Sequence, residues 1–156
     1  MSDISRYFSQ NYKFATARFL ADAKKFGEVK MYSDPESEYV VPVLKVGNGP
    51  NKVVINTGIH GTEGFFGSAF FSRWLENGAK FLDKKYNEKF TVALVHVING
   101  FGMEHYVREN ANNVDLNRNF CDWAADAPKN YMYRASHDLL VSKPGLWKLV
   151  KLLWFR

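Results

Sequence analysis

Cysteine is almost absent from this 156-residue chain, which contains only Cys121. A lone cysteine excludes an internal disulfide, and the sequence has no paired-cysteine zinc motif. We expect Cys121 to be a small, partly buried residue. No apolar run approaches the roughly 20 residues that span a bilayer, and the first residues lack the basic start and apolar core of a secretion signal. We therefore expect no transmembrane segment and a cytoplasmic location.

Low-complexity sequence is also absent, and 46% of the residues are hydrophobic. This composition is typical of a globular protein, and the length suits a single domain over residues 1–156. The net charge of +5 raises the question of nucleic-acid binding. The lysines are scattered, however, and no basic stripe alternates with stacking aromatic residues. We expect no nucleic-acid partner.

The most informative stretch is residues 53–67, where an apolar run leads into a glycine-rich turn and then a helix. Val53 to Ile55 are apolar and β-branched, which predicts a buried central strand. His60 and Glu63 follow three positions apart, and both residue types are common zinc ligands. This layout places His60 at the carboxyl end of a strand and Glu63 in the first helical turn. In open α/β sheets, ligands bind at that rim.

Helices are predicted before and after this strand. Residues 9–26 have apolar positions at helical spacing, which predicts an amphipathic helix. In the second helix, Phe66, Ala69, Phe70 and Trp74 recur on one face. Asn77 followed by glycine predicts its end.

Further strands are predicted at Val29–Tyr32, Tyr39–Val46 and Phe90–Ile98. Pro42 cannot donate to a strand ladder, so its strand should lie at an edge or carry a bulge. The strand-helix-strand order from Val53 onward predicts a parallel pair. The sequence thus predicts an α/β fold with a mixed, mostly parallel central sheet flanked by helices.

A second polar cluster follows the last predicted strand. The turn at residues 99–102 should lie on the same rim as His60, and residues 108–120 are rich in asparagine and arginine. Arginine binds carboxylates in bidentate fashion, and asparagine amides orient polar groups. The two clusters together predict an anionic substrate beside a metal site.

Each cluster alone also has an interpretation without a ligand. A glutamate in a first helical turn is favourable without metal, so His60 and Glu63 fit a helix N-cap region. Arg108, Asn117 and Arg118 fit a polar loop with local Asx turns. The occurrence of both clusters in one chain favours ligands.

The other histidines are weaker candidates. His96 alternates within an apolar strand, which predicts a core or sheet-face residue. His105 has no metal-ligand spacing to Glu63. His137 is the only histidine downstream of Arg118, but its neighbours do not resemble the end of a strand.

Taken in order, His60-Gly61-Thr62-Glu63, Arg108 and Asp115-Leu116-Asn117-Arg118-Asn119-Phe120 resemble the zinc carboxypeptidase superfamily. That superfamily includes the aspartoacylase and succinylglutamate desuccinylase enzymes, and the chain is most similar to an uncharacterised bacterial branch described as a domain of unknown function. The resemblance begins near Phe8 and fades after about Pro128. It implies a carboxypeptidase-like fold and a zinc-dependent hydrolase. The substrate would be a small molecule or peptide with a free carboxylate, cleaved at an amide.

The resemblance also implies roles for individual residues. His60 and Glu63 would bind Zn²⁺, and a later histidine would complete three protein ligands plus water. The metal would activate that water and polarise a carbonyl. Arg108 would stabilise the developing oxyanion. Arg108, Asn117 and Arg118 would bind the substrate.

In that family, the third ligand and the general-base glutamate lie beyond the Asn-Arg element, and neither has a clear counterpart before Arg156. We therefore expect the amino-terminal half of a catalytic domain, inactive or nearly so alone. Its apolar tail, residues 146–156, would need an oligomer or the missing half to cover it. Two alternatives stay open: a non-catalytic anion-binding module that uses the Asn-Arg loop, and membrane attachment through the tail.

Overall fold

The structure, a computed structural model, describes residues 3–35, 37–77, 84–120, 122, 125 and 131–140. The chain divides into two compact units, Met1–Phe120 and Cys121–Arg156. A single domain over the whole chain stays a prediction. Cys121 and the tail at residues 146–156 lie outside the described residues, so the expectations for them also stay predictions.

The first unit contains both helices and strands. In the described residues of this unit, the helices are a 3-10 helix at Ile4–Tyr7, α1 (Tyr12–Ala23), α2 (Gly64–Asn77), α3 (Lys84–Asn87), α4 (Gly100–Glu104) and another 3-10 helix at Leu116–Arg118. Its strands are β1 (Glu28–Ser33), β2 (Val40–Val46), β3 (Asn51–Asn56) and β4 (Phe90–Val95). The described part of the second unit contains α5 (Tyr131–Leu140). No helix in the described ranges is long and apolar enough to cross a membrane.

The strands form one mixed sheet in the order β1-β2-β4-β3. β3 and β4 are parallel, as predicted, whereas β1-β2 and β2-β4 are antiparallel. The α/β fold with a mixed sheet flanked by helices is therefore confirmed. Among the described strands, two neighbouring pairs are antiparallel and one is parallel, so the sheet there is not mostly parallel. The link between β1 and β2 is short, and a short link joins antiparallel strands, whereas parallel strands need a crossover of a dozen residues or more.

β2 lies inside the sheet, so the edge position predicted from Pro42 is wrong. The β1-β2 register runs through Pro42 without a bulge. On the other side, the β2-β4 ladder begins at Val43, and the His96 N–H donates to the Pro42 carbonyl at 2.9 Å. The proline therefore lies where this ladder ends, and its missing N–H costs one terminal hydrogen bond.

β3 is an edge strand among the described residues, so the central position predicted for Val53 to Ile55 is wrong there. Val53 is 37% exposed and Val54 is 63% exposed. Apolar, β-branched sequence correctly predicted a strand, but it did not determine how many neighbours that strand has.

The core of the first unit lies between the sheet and the helices α1 and α2. Phe19, Leu44, Phe71 and Leu94 are fully buried and belong to one cluster. His96 is also fully buried, and its ring stacks on Phe19 with 4.5 Å between centroids. Burial lowers the pKa of His96 to about 3, so its imidazole is neutral at ordinary pH. The predicted core position of His96 is confirmed.

The predicted apolar face of α2 is buried only in part: Ala69 is buried and Trp74 packs against the core, whereas the two phenylalanines are exposed. Phe66 is 69% exposed and Phe70 is 50% exposed. At Gly67, α2 lies so close to Thr57 that a Cβ added to this glycine would be 2.4 Å from the Thr57 Cβ. The buried positions of α2 are Gly64, Gly67, Ser68, Ala69, Phe71, Ser72 and Leu75.

Candidate active site

The loops after β3 and β4 meet at the carboxyl end of the parallel pair. The Ile98 N–H donates to the Thr57 carbonyl at 3.0 Å, and the Asn99 N–H donates to the Gly58 carbonyl at 2.8 Å. Gly58 has φ of +63°, a left-handed conformation that favours glycine. The predicted convergence of the two segments on one rim is confirmed.

A buried amide fixes the next part of the rim. Asn99 is 2% exposed, and its side-chain oxygen accepts from the Gly102 N–H at 2.8 Å. Its amide nitrogen donates to the carbonyls of Arg108 at 3.2 Å and Glu109 at 2.9 Å. The Arg108 carbonyl also accepts from the Gly61 N–H at 3.4 Å. Asn99 therefore holds the segment that carries Arg108 against the turn that carries His60.

His60 lies between two carboxylates. Its side chain is 8% exposed. Nδ1 is 3.0 Å from Glu63 Oε1, and Nε2 is 3.1 Å from Asp115 Oδ1. Glu63 precedes the first residue of α2 and its side chain is 67% exposed. The two residues predicted as metal ligands thus face each other.

Asp115 joins His60 to Arg108. Arg108 Nε donates to Asp115 Oδ2 at 2.9 Å, and the Asn117 N–H donates to Oδ1 at 2.9 Å. Burial raises the pKa of the Asp115 carboxyl, but the hydrogen bonds from Arg108, His60 and the Asn117 N–H and the Arg108 charge outweigh it. The pKa of Asp115 therefore lies below its ordinary value, and the group is a carboxylate.

The donor arrangement around His60 fits a cation on its Nδ1 side. A neutral imidazole carries one N–H. When that proton lies on Nε2 and is donated to Asp115, the Nδ1 lone pair faces the Glu63 carboxylate. Two acceptors at 3.0 Å need a cation between them, either a proton or a metal ion. Nitrogen and carboxylate oxygen are donors that Zn²⁺ accepts.

A third ligand does not complete this pair in the described part of the chain. Across the described residues, no group of three or more His, Cys, Asp or Glu side chains could hold a metal ion. Asp115 occupies the opposite nitrogen of His60, so it does not face the same point as Glu63.

A pocket of about 290 Å³ opens beside the histidine, and His60, Glu63 and Asn117 all line it. Arg108 does not line this pocket but is linked to it through Asp115. Arg118 is exposed, and its guanidinium contacts the Asn117 carbonyl at 3.5 Å. The structure thus connects four of the five predicted site residues through hydrogen bonds or the shared pocket, and Arg118 contacts only the backbone of Asn117 among them. The substrate roles of Arg108, Asn117 and Arg118 stay predictions.

Two residues of the site were not identified from the sequence. Asp115 belongs to the Asn-Arg element, and a carboxylate that orients a metal-binding histidine is a common companion of such ligands. That rule could have singled it out. The sequence marked Asn99 only as the start of the turn at residues 99–102, because the bonds from its amide nitrogen to the Arg108 and Glu109 carbonyls depend on the fold.

A family model described as "Protein of unknown function (DUF2817)" matches residues 8–148. No curated protein matches the chain. Among solved structures, the chain is similar to bovine thrombin-activatable fibrinolysis inhibitor in complex with tick carboxypeptidase inhibitor, with a TM-score of 0.50 and 18% identity. The match covers 68% of this chain and 38% of that one.

At this identity, the structural similarity shows the fold alone, which is carboxypeptidase-like. The family match spans most of the sequence. The chain belongs to the DUF2817 family.

Proposed function

We propose that this chain carries the metal-binding and substrate-binding elements of a zinc-dependent hydrolase of carboxypeptidase or deacylase type. Its substrate would be a small molecule or peptide that bears a free carboxylate and is cleaved at an amide. One observation carries the proposal. Nδ1 of His60 faces Glu63 Oε1 at 3.0 Å, while Asp115 binds the opposite nitrogen of the same ring.

In this proposal His60 and Glu63 would hold the zinc ion, which would supply an activated water and polarise the scissile carbonyl. Asp115 would orient the His60 ring by accepting its Nε2 proton, which leaves Nδ1 unprotonated for the metal. Outer partners of this kind also raise the basicity of the ligand. The small exposure of His60 limits competition from water at the ring.

Arg108 and Asn117 would contact the substrate. Asp115 engages Nε of Arg108, and an arginine has four further N–H groups on its terminal nitrogens. Since the Arg108 side chain is 41% exposed, those groups can bind a carboxylate or an oxyanion. Asn117 would orient the substrate from the pocket wall, and Arg118 would add a positive charge nearby.

The proposal covers part of a catalytic site. The chain spans 38% of the carboxypeptidase-like chain to which it is similar, and the described residues contain no group of three or more His, Cys, Asp or Glu side chains that could hold a metal ion. We therefore expect weak zinc binding and weak or no hydrolysis by this chain alone. A cytoplasmic location and the lack of a nucleic-acid partner also stay predictions.

Calorimetric zinc titration of the full chain tests the proposal. Both His60→Ala and Glu63→Gln should weaken zinc binding, because each removes one donor of the facing pair. His105→Ala is the matched control, since His105 is an exposed histidine whose ring contacts Tyr39 and Phe101. His137→Ala tests the only downstream histidine as a third ligand. Equal zinc affinity in the wild type, His60→Ala and Glu63→Gln would contradict the proposal.

The second candidate is a non-catalytic module that binds anions through Arg108, Asn117 and Arg118. The limited number of metal ligands among the described residues favours it. Under this alternative, acetate or succinate should bind in the presence of a metal chelator, and Arg108→Gln should weaken that binding. Loss of carboxylate binding on chelation, with recovery on adding zinc, would favour the hydrolase.

A further inference from the structure

Val97 has a backbone conformation that its residue type rarely adopts. Its φ is +44°, and it is the β-branched residue with a positive φ in the described part of the chain. For a β-branched residue this conformation is an outlier that costs free energy, and such strain persists only where the surrounding structure maintains it. Val97 is fully buried, in a cluster with Tyr12, Ala15 and Met103. Because strained residues cluster at functional sites, its surroundings indicate its role.

Thr57, immediately after β3, maintains the conformation of Val97. The Val97 N–H donates to Thr57 Oγ1 at 3.2 Å, and the Ile98 N–H donates to the Thr57 carbonyl at 3.0 Å. In a regular strand, successive N–H groups face opposite neighbours. Here two successive N–H groups bind the same residue, because the chain turns at Val97. The Asn99 N–H then reaches the Gly58 carbonyl at 2.8 Å.

The Val97 side chain lies at both ends of the turn that carries the candidate metal ligands. That turn runs from Gly58 to Gly64 and contains His60 and Glu63. A Cβ built on Gly58 would lie 2.9 Å from Val97 Cγ1, and one built on Gly64 would lie 3.3 Å from the same atom. A Cβ on Gly58 would also lie 3.2 Å from the Gly64 Cα, so the two ends of the turn are adjacent. One methyl group of Val97 therefore packs against both ends of the turn.

We propose that Val97 is a positioning residue for the candidate metal site, a role that rests on the function proposed above. Its methyl group fixes the spacing of the two ends of the turn. Its left-handed backbone directs Asn99 to the segment that carries Arg108. A valine in a relaxed, extended conformation would send its side chain and the following residues in other directions. One strained residue thereby places both segments of the site.

Thermal unfolding tests the strain. At an ordinary strand position, glycine is less stable than alanine. Glycine adopts a positive φ without steric cost, so Val97→Gly should have a Tm equal to or above that of Val97→Ala. Val46 is the matched control, since it is a buried valine of β2, and Val46→Gly should have a lower Tm than Val46→Ala. A Tm of Val97→Gly below that of Val97→Ala would overturn the assignment of strain.

Hydrogen exchange of the zinc-free chain tests the positioning. The Gly61 N–H donates to the Arg108 carbonyl at 3.4 Å, and the Gly64 N–H donates to the Gly61 carbonyl at 2.9 Å, so both amides report opening of the turn. Relative to the amides between β1 and β2, their exchange should become about tenfold faster in Val97→Ala. Val46→Ala removes the same two methyl groups from the other core cluster, so it should not produce this difference.

Calorimetric zinc titration connects the positioning to the proposed function. Val97→Ala should weaken zinc binding about tenfold, since the groups that orient metal ligands contribute about 10- to 100-fold to affinity. Val46→Ala should bind zinc as the wild type does, at a temperature where both variants are folded.

The outcomes separate this role from the hydrolase proposal. Faster exchange at Gly61 and Gly64 together with weaker zinc binding, both in Val97→Ala alone, would support the positioning role. Equal effects of Val97→Ala and Val46→Ala on exchange in the turn would overturn it, as would unchanged zinc affinity of Val97→Ala when the wild type binds zinc. If the wild type bound no zinc, the hydrolase proposal would fail, and the exchange and Tm measurements would still decide the role of Val97.

Discussion

Replacement of Asn99 by alanine should destabilise the chain more than any other asparagine truncation on the rim. The amide is 2% exposed and makes three hydrogen bonds. In Asn99→Ala, the Gly102 N–H and the Glu109 carbonyl lose the partner that Asn99 provides. The Arg108 carbonyl keeps its contact with the Gly61 N–H.

The magnitude follows from these contacts. A buried group left without its hydrogen bond costs about 1–3 kcal/mol. Two such groups predict a loss of about 3 kcal/mol in the free energy of unfolding. For a unit of this size, that loss corresponds to a fall in Tm of about 12 °C.

Thermal and urea unfolding measure this change. Asn112→Ala is the control, because Asn112 is exposed and only its backbone N–H bonds to Asn110. The control should stay within about 0.5 kcal/mol of the wild type. Asn99→Asp should be at least as destabilising as Asn99→Ala, since a carboxylate would face the Arg108 and Glu109 carbonyls. Equal stability of Asn99→Ala and Asn112→Ala would refute the role assigned to this amide.

Three further predictions concern the core and the site. The pKa of His96 is about 3 in the folded chain and 6.5 when unperturbed, so the unfolded chain binds a proton at a higher pH than the folded chain does. The free energy of unfolding should therefore fall as the pH drops below 6.5, by up to about 1.4 kcal/mol per pH unit. Urea unfolding between pH 7 and 4 should show a smaller slope for His96→Gln, and an unchanged slope would contradict the assignment. Asp115→Asn should weaken zinc binding about 10- to 100-fold in calorimetry, and unchanged affinity would exclude Asp115 as the group that orients His60. Gly61→Ala should lower the free energy of unfolding by about 3 kcal/mol or more, because its Cβ would lie 2.0 Å from the Gly102 carbonyl carbon. If Gly61→Ala lowered it no more than Thr62→Ala does, the segments that carry Gly61 and Gly102 would be able to separate without loss of stability.

Local sequence patterns predicted the elements that carry the site. The first predicted helix, residues 9–26, is found as Tyr12–Ala23, with the Asn11 side chain accepting the Phe14 N–H at its start. The second predicted helix is found as Gly64–Asn77, and its predicted end at residue 78 lies outside the described residues. The parallel pair of β3 and β4 followed from the strand-helix-strand order. Turn chemistry and hydrophobic periodicity act over a few residues, so they can be recognised without tertiary information.

Position within the sheet could not be predicted in this way. Pro42 lacks a backbone N–H, but it lies inside the sheet at the end of the β2-β4 ladder, where one hydrogen bond fewer is tolerated. Valine at position 54 favours a buried position, yet β3 pairs with only one of the described strands. Both errors arise because the number of neighbours of a strand depends on residues far along the chain.

The packing of α2 and the contacts of Asp115 show the same limit at the level of side chains. Hydrophobicity singled out Phe66 and Phe70, whereas Gly67 permits the close approach to Thr57. The Asn-Arg element was recognised from its residues, but the direction of the Asp115 carboxylate towards His60 depends on folded geometry. Residue types therefore predicted the kind of site, and the structure supplied its connections.

Anomalous diffraction at the zinc edge, from crystals of the full chain grown with zinc, tests the central claim most directly. The hydrolase proposal predicts a peak about 2.0–2.2 Å from both His60 Nδ1 and Glu63 Oε1, with Nε2 still bonded to Asp115. A peak elsewhere, with His60 Nδ1 left against Glu63, would contradict it.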